Sequence, residues 1–257
     1  MSREPSRVLA IFAHPDDETF RCGGTLALLA RRGARVHLLC ATRGEAGVPE
    51  LEPEQAGQIR QAELECACRA LGLQPPRFLD YQDGALAQVD QEEAVSRIVA
   101  VVRELRPRVL LTWPPDGVSG HPDHIAISHW TGEALNWMAS PAADPKGLAR
   151  ELSPDSPSLY HIVVPYSLAQ ALGMNQLHTV PDESVTLTVD VSDVWEAKIA
   201  AIHCHRTQLK GTPVLSAPEA KQRLFLGVEH FRLARGRSDT LSPLIRDFVR
   251  NGKDKKA

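Results

Sequence analysis

Arg7-Val-Leu-Ala-Ile-Phe-Ala13 runs without a polar break into His14-Pro15-Asp16-Asp17-Glu18. A short continuous apolar run of this kind reads as a strand covered on both faces. Beyond it, Gly23-Gly24 opens a stretch from Thr25 to Arg32 with apolar residues at helical spacing, and Gly33 ends it. Arg35-Val-His-Leu-Leu-Cys-Ala41 then reads as a second strand. Strand, helix and strand in such quick succession make a βαβ unit, which implies a right-handed crossover and a parallel sheet.

The alternation continues outward from that unit. Glu54 to Leu71 reads as a helix, with Leu64, Ala67 and Leu71 on one face and Gly72 as its C-cap. Arg77 to Asp80 is a short strand, and Gln91 to Leu105 a helix stopped by Pro107. Val109 to Trp113 is another buried strand, followed by a helix over Ile125 to Met138. Leu159 to Pro165 and Val185 to Val189 read as strands, and Val194 to Leu209 as a helix. The fold expected is α/β: a doubly wound, mostly parallel, Rossmann-like sheet with helices on both faces. Residues 1–257 read as one domain, with a lid or loop over Ser140 to Ser158 and a frayed Lys-rich tail from Asn251 to Ala257.

Composition narrows the function classes. The 257 residues are 43% hydrophobic and 24% charged, as in an ordinary globular protein. Lys and Arg number 29 against 32 Asp and Glu, a net charge of −3 that gives no general reason to bind nucleic acid or an anionic membrane. No apolar run reaches the roughly 18–20 residues that span a bilayer. Cys22, Cys40, Cys66, Cys68 and Cys204 show no zinc-ribbon or thioredoxin spacing, so most are expected as small buried hydrophobes in a reducing cytoplasm.

The chemistry sits where the strands end. In an open α/β sheet, ligands bind beyond the carboxyl ends of the strands, and His14 to Glu18 follows the first strand directly. His14 and Asp17, three apart at a helix start, can aim imidazole and carboxylate at one point, a ligand set suited to Zn²⁺ and other transition metals. Asp16, between them, points elsewhere and leaves a second carboxylate beside the metal. Acidic residues there would also suit a helix N-terminus, but a second motif repeats the chemistry. His121-Pro122-Asp123-His124 follows Val109 to Trp113 at the next helix start. The two loops can supply His14, Asp17 and His124 to one metal, leaving a fourth position open for water.

On these two His-Pro-Asp motifs, with Gly44-Glu45, the Arg60 to Gly72 helix, Tyr81-Gln82-Asp83 and Lys198 to Gln208, the chain resembles the LmbE-like, or PIG-L, zinc-dependent N-deacetylases. The resemblance implies His14, Asp17 and His124 as metal ligands, Asp16 as general base, and His121 as a cationic electrophile beside the developing oxyanion. It places His205 near the substrate, and Arg60 and Asp83 either in contact with substrate or just behind the groups that are. It implies Zn²⁺ as the cofactor, with Fe²⁺ the other metal a His₂Asp set resembles. The partner implied is a small N-acetylated amino sugar of the N-acetylglucosamine type, and the enzyme a homo-oligomer. One departure stands out: Ser119 occupies a position where many family members carry Tyr.

A metal-dependent phosphoesterase is the alternative hydrolase, disfavoured because only one three-ligand set is evident. A non-catalytic sugar-binding module is the other alternative, disfavoured because binding alone needs neither Asp16 nor His121. His37, His129, His161, His178 and His230 carry no ligand role, and Trp113 and Trp137 read as packing residues.

Overall fold

The computed structural model describes residues 5–139, 156–210 and 212–244. Its strands are β1 (Arg7–Phe12), β2 (Arg35–Thr42), β3 (Arg77–Tyr81), β4 (Val109–Thr112), β5 (Ser158–Ile162), β6 (Leu187–Asp190) and β7 (Val228–Arg235). They form one sheet in the order β3-β2-β1-β4-β5-β7-β6. β1 to β5 run parallel, while β7 lies antiparallel to both β5 and β6. The mostly parallel, doubly wound architecture is the one expected. The antiparallel β7 is an addition, although Val228-Glu-His-Phe-Arg-Leu-Ala-Arg235 alternates in the period-two manner of a strand.

The helices are α1 (Asp17–Arg31), α2 (Pro53–Leu71), α3 (Gln91–Leu105), α4 (Pro122–Ala139), α5 (Tyr166–Leu172), α6 (Trp195–Cys204), α7 (Pro213–Ser216) and α8 (Glu219–Leu226). α1, α2 and α6 pack on one another, and α3 packs on α4. With right-handed crossovers, the reversal of strand order between β1 and β4 puts these two groups on opposite faces. β1 is central, and Val8 to Ala13 are wholly covered. The crevice between the carboxyl ends of β1 and β4 is the topological switch point, where such sheets bind ligands.

Three expectations change. The helix expected from Thr25 begins eight residues earlier, at Asp17, so Gly23-Gly24 lies inside it rather than opening it. Gly24 is there because α1 runs against the turn at Val191: a Cβ on Gly24 would stand 2.4 Å from the Val191 Cβ. The helix expected to Leu209 ends at Cys204, with a separate 3-10 turn at Arg206–Gln208. Cysteine usage also differs. Cys22, Cys40 and Cys68 are free and buried, as expected, but Cys66 on α2 is disulfide-bonded to Cys204 at the end of α6. That pairing removes the support that cysteine usage lent to a reducing compartment. Of the expected lid, residues 140–155 lie outside the described residues, as does the tail from Asn251, and Ser158 begins β5. Among the described residues no helix is long and apolar enough to cross a membrane.

Candidate active site

Two loops converge at the switch point. The first leaves β1 and enters α1 through Asp16, whose backbone (φ 109°, ψ −25°) lies in a region L-residues rarely adopt. Such strain costs of order 1–3 kcal/mol and persists only when surrounding contacts hold it. The second leaves β4 and turns through Gly117, Val118 and Gly120, all at positive φ (67°, 63° and 76°), before His121 and the start of α4. For a β-branched residue such as Val118 this conformation is an outlier.

The convergence is close. The His14 ring lies 4.9 Å from that of His121 and 5.3 Å from that of His124. Asp17 Oδ2 accepts hydrogen bonds from the backbone N–H of Ala13 (3.1 Å) and His14 (3.0 Å) and from Trp113 Nε1 (3.2 Å). The other oxygen, Oδ1, faces His124 Nε2 at 3.2 Å. Trp113 also stacks on the His124 ring, with centroids 4.8 Å apart and 13° between planes, so its packing role includes holding a site histidine. Burial alone would raise the Asp17 carboxyl, but His124 and His14 hold it well below the usual carboxylate range.

Each imidazole is oriented from behind. His14 Nε2 meets Asp83 Oδ1 at 3.0 Å and Asp123 Oδ2 at 3.1 Å, leaving Nδ1 toward Asp17 Oδ2 at 3.9 Å. Burial would lower the His14 pKa, yet the Asp123 and Asp83 hydrogen bonds carry it up to about 10. His124 Nδ1 lies 3.2 Å from the Gly117 carbonyl, which leaves Nε2 toward Asp17. This is the arrangement by which carboxylates and carbonyls fix the tautomer of metal-binding histidines.

His14 Nδ1 and His124 Nε2 therefore both face the Asp17 carboxylate, one at each oxygen. Tetrahedral zinc with ligand bonds near 2.0–2.1 Å separates its ligands by about 3.3 Å; Asp17 Oδ1 stands 3.2 Å from His124 Nε2, and Asp17 Oδ2 3.9 Å from His14 Nδ1. Among the described residues, the groups whose donor atoms all lie within 4.8 Å of one another are His14 with His121 and His124, and His14 with Asp83 and Asp123; the Asp17 set is not one of them. The second is already satisfied, since Asp123 accepts from Gly84 N (2.7 Å) and Leu86 N (3.1 Å) and Asp83 from Ala46 N (3.0 Å).

Asp16 stands beside this cluster with its side chain 25% exposed. Partial burial and the charge of Asp17 push its carboxyl up to about 7, against the pull of Arg60 3.4 Å away. A carboxylate near that value can both accept and return a proton at neutral pH. His121 is exposed, and its Nδ1 accepts from the Asp123 backbone N–H at 3.2 Å. With Nδ1 accepting, the proton of the neutral ring lies on Nε2. Burial and the neighbouring His14 and His124 charges lower its pKa in the same sense.

Arg60, Asp83 and His205 lie behind the site. Arg60 is 3% exposed and donates to the carbonyls of Gly44 (2.8 Å) and Pro15. Asp83 is engaged by His14, and His205 is wholly buried with Nε2 on Glu18 Oε1 at 2.7 Å. Each therefore positions a site residue rather than lining an open surface. Sequence reasoning missed the Asp123 clamp on His14, although Asp123 stands inside the second motif; it also missed the Glu18–His205 pair, whose members are 187 residues apart. Ser119, in place of the family tyrosine, is exposed on the second loop.

Comparison with known proteins fits this geometry. Residues 9–135 match the PIG-L family, described as GlcNAc-PI de-N-acetylase. The chain is 36% identical to the 1D-myo-inositol 2-acetamido-2-deoxy-alpha-D-glucopyranoside deacetylase of Rhodococcus erythropolis, over 96% of each chain. Among solved structures it superposes on the N,N'-diacetylchitobiose deacetylase of Pyrococcus horikoshii with a TM-score of 0.68, at 22% identity and covering 90% of this chain and 84% of that one. It superposes as well on a 4-carboxy-2-hydroxymuconate hydratase of Pseudomonas putida (TM-score 0.67, 21% identity, 90% and 97% covered), so the fold by itself does not select the reaction. Matched to the deacetylase along nearly its whole length, the chain belongs to the PIG-L, or LmbE-like, family of N-deacetylases.

Proposed function

We propose that this protein hydrolyses the acetamide of an N-acetylglucosamine-type conjugate, releasing acetate and a free amino sugar. The observation that supports the reading is that His14 and His124 both face the Asp17 carboxylate, next to Asp16 in the chain. His14, Asp17 and His124 would hold the metal, with Zn²⁺ the ion assigned; the same donors would also take Fe²⁺. When bound, such a cation supplies Lewis acidity, polarising the acetyl carbonyl and acidifying water toward a pKa of ~7.

The chain's own groups handle the protons. Asp16 takes a proton from the attacking water and returns it to the departing amine, which a carboxyl near 7 can do in both directions. His121 Nε2–H donates to the carbonyl oxygen as negative charge develops there. The Asp123 backbone N–H on Nδ1 keeps that proton on Nε2, so a neutral imidazole performs the role. Asp83 and Asp123 keep the His14 ring turned so that Nδ1 faces the ligand point.

The substrate class follows from relatives named as deacetylases of a glucosaminide of inositol, similar to this chain end to end. A panel of N-acetylated amino sugars, including N-acetylglucosaminyl inositol and chitooligosaccharides, is assayed for acetate and freed amine on metal-stripped and zinc-reloaded protein. We expect release of both products only after reloading, with the inositol conjugate among the substrates. Absence of acetate from every member after reloading contradicts the reading.

A further inference from the structure

Glu18 has no part in the chemistry just described, yet it is wholly buried at the first turn of α1. An acidic residue at a helix start ordinarily faces solvent and the exposed N–H groups of that turn. Glu18 instead turns back, and its Oε2 accepts from the backbone N–H of Asp16 at 3.0 Å. Its other oxygen, Oε1, holds His205 Nε2 at 2.7 Å. His205 is itself fully covered, and its Nδ1 has no partner, so Glu18 is the side-chain group this ring binds. The amide that Glu18 grips belongs to the residue whose backbone is in the disfavoured region. On the other flank, Thr19 N and Oγ1 hold the Asp16 carbonyl at 3.1 and 2.9 Å.

We propose that Glu18, braced by His205, is a positioning residue that fixes the Asp16 carboxylate in its productive orientation. The inference rests on Asp16 being the general base. Without Glu18 the Asp16 peptide loses the acceptor that stabilises its conformation, and the peptide relaxes toward ordinary φ. The carboxylate then turns away from the water it must deprotonate, while the donor atoms of His14 and His124 stay in place. His205 acts one step further back: it fixes the Glu18 carboxylate and reaches no reacting atom.

The test compares Glu18→Ala, Glu18→Gln, His205→Gln, Asp16→Asn and the Asp16→Asn/Glu18→Ala double variant, each loaded with zinc and assayed on N-acetylglucosaminyl inositol. For Glu18→Ala we expect kcat to fall about 10- to 100-fold, with KM within about twofold and zinc content unchanged, because misplacement by about an ångström costs on that order. Glu18→Gln keeps a carbonyl oxygen for the Asp16 N–H and recovers most of the rate. The double variant is no slower than Asp16→Asn alone, since a residue acting only through Asp16 has nothing left to lose. Wild-type kcat in Glu18→Ala alongside an inactive Asp16→Asn overturns the inference, as does a further drop in the double variant. Wild-type kcat in Asp16→Asn sinks the general-base reading instead. Should Glu18→Ala fail to fold, His205→Gln decides: a lowered kcat with zinc retained supports the relay, and an unchanged kcat or parallel loss of zinc overturns it.

Discussion

The parallel half of the sheet and the carboxyl-terminal third of the described chain contribute in different ways. From β1 and β4 come every group aimed at the ligand point: His14, Asp16 and Asp17 from one loop, His121 and His124 from the other. From α6, α8 and β7 comes none, but these elements grip the helix that begins at the site. Glu229 on β7 accepts from Gly24 N (2.9 Å) and Thr25 N (2.7 Å) in the middle of α1, and Lys198 on α6 holds Glu229 at 2.6 Å. Just past α6, Thr207 N and Oγ1 donate to Glu63 on α2 at 2.9 and 2.7 Å, near the Cys66–Cys204 link. One region is chemically poised and strained, and the other is a buried polar brace. Strain at Asp16 is held through Glu18, which His205 braces from distant sequence.

If that division of labour holds, substitutions in the two regions separate cleanly by readout. The largest effect is expected from Asp16→Asn, which should lower kcat about 10²- to 10⁴-fold while zinc content and melting temperature stay near wild type. Loss of zinc with activity would make Asp16 a ligand. Next, Lys198→Ala leaves Glu229 buried without its cation, and chemical denaturation should show a loss of about 3–5 kcal/mol. Zinc bound by the fraction still folded should remain stoichiometric; a folded variant without zinc would break the distinction between the regions. Cys66→Ser, compared with the oxidised protein, should lose about 2–4 kcal/mol because the link closes a long loop in the unfolded chain. An unchanged denaturation midpoint would show that the link is not formed in the purified protein. The smallest effect, sharpening the comparison within the site half, is Asp123→Asn: zinc affinity should fall about 10- to 100-fold by competition titration, since the amide orients His14 less strongly. Unchanged affinity would mean that Asp83 alone orients the ring.

What could be read in the sequence follows the same boundary. Buried parallel strands announce themselves as unbroken apolar runs, so β1, β2 and β4 were legible, and with them the address of both loops. The His-Pro-Asp motifs are contiguous, and spacing alone brings His14 near Asp17. The brace is legible only in space. Glu18 and His205, or Cys66 and Cys204, are each separated by more than a hundred residues, and no local pattern pairs them. Gly24 read as the opening of a helix because the close approach of Val191 that requires it comes from far along the chain. Arg60, Asp83 and His205 could be singled out in the sequence, but their burial is a property of packing.

The central claim is that the loops after β1 and β4 grip one divalent cation through His14, Asp17 and His124. Zinc titration followed by elemental analysis of Asp17→Ala tests it most directly, because this substitution leaves the competing His14–His121–His124 group whole. We expect one tightly held zinc per wild-type chain and none after dialysis of the variant. Stoichiometric zinc retained by Asp17→Ala at wild-type affinity would contradict the assignment.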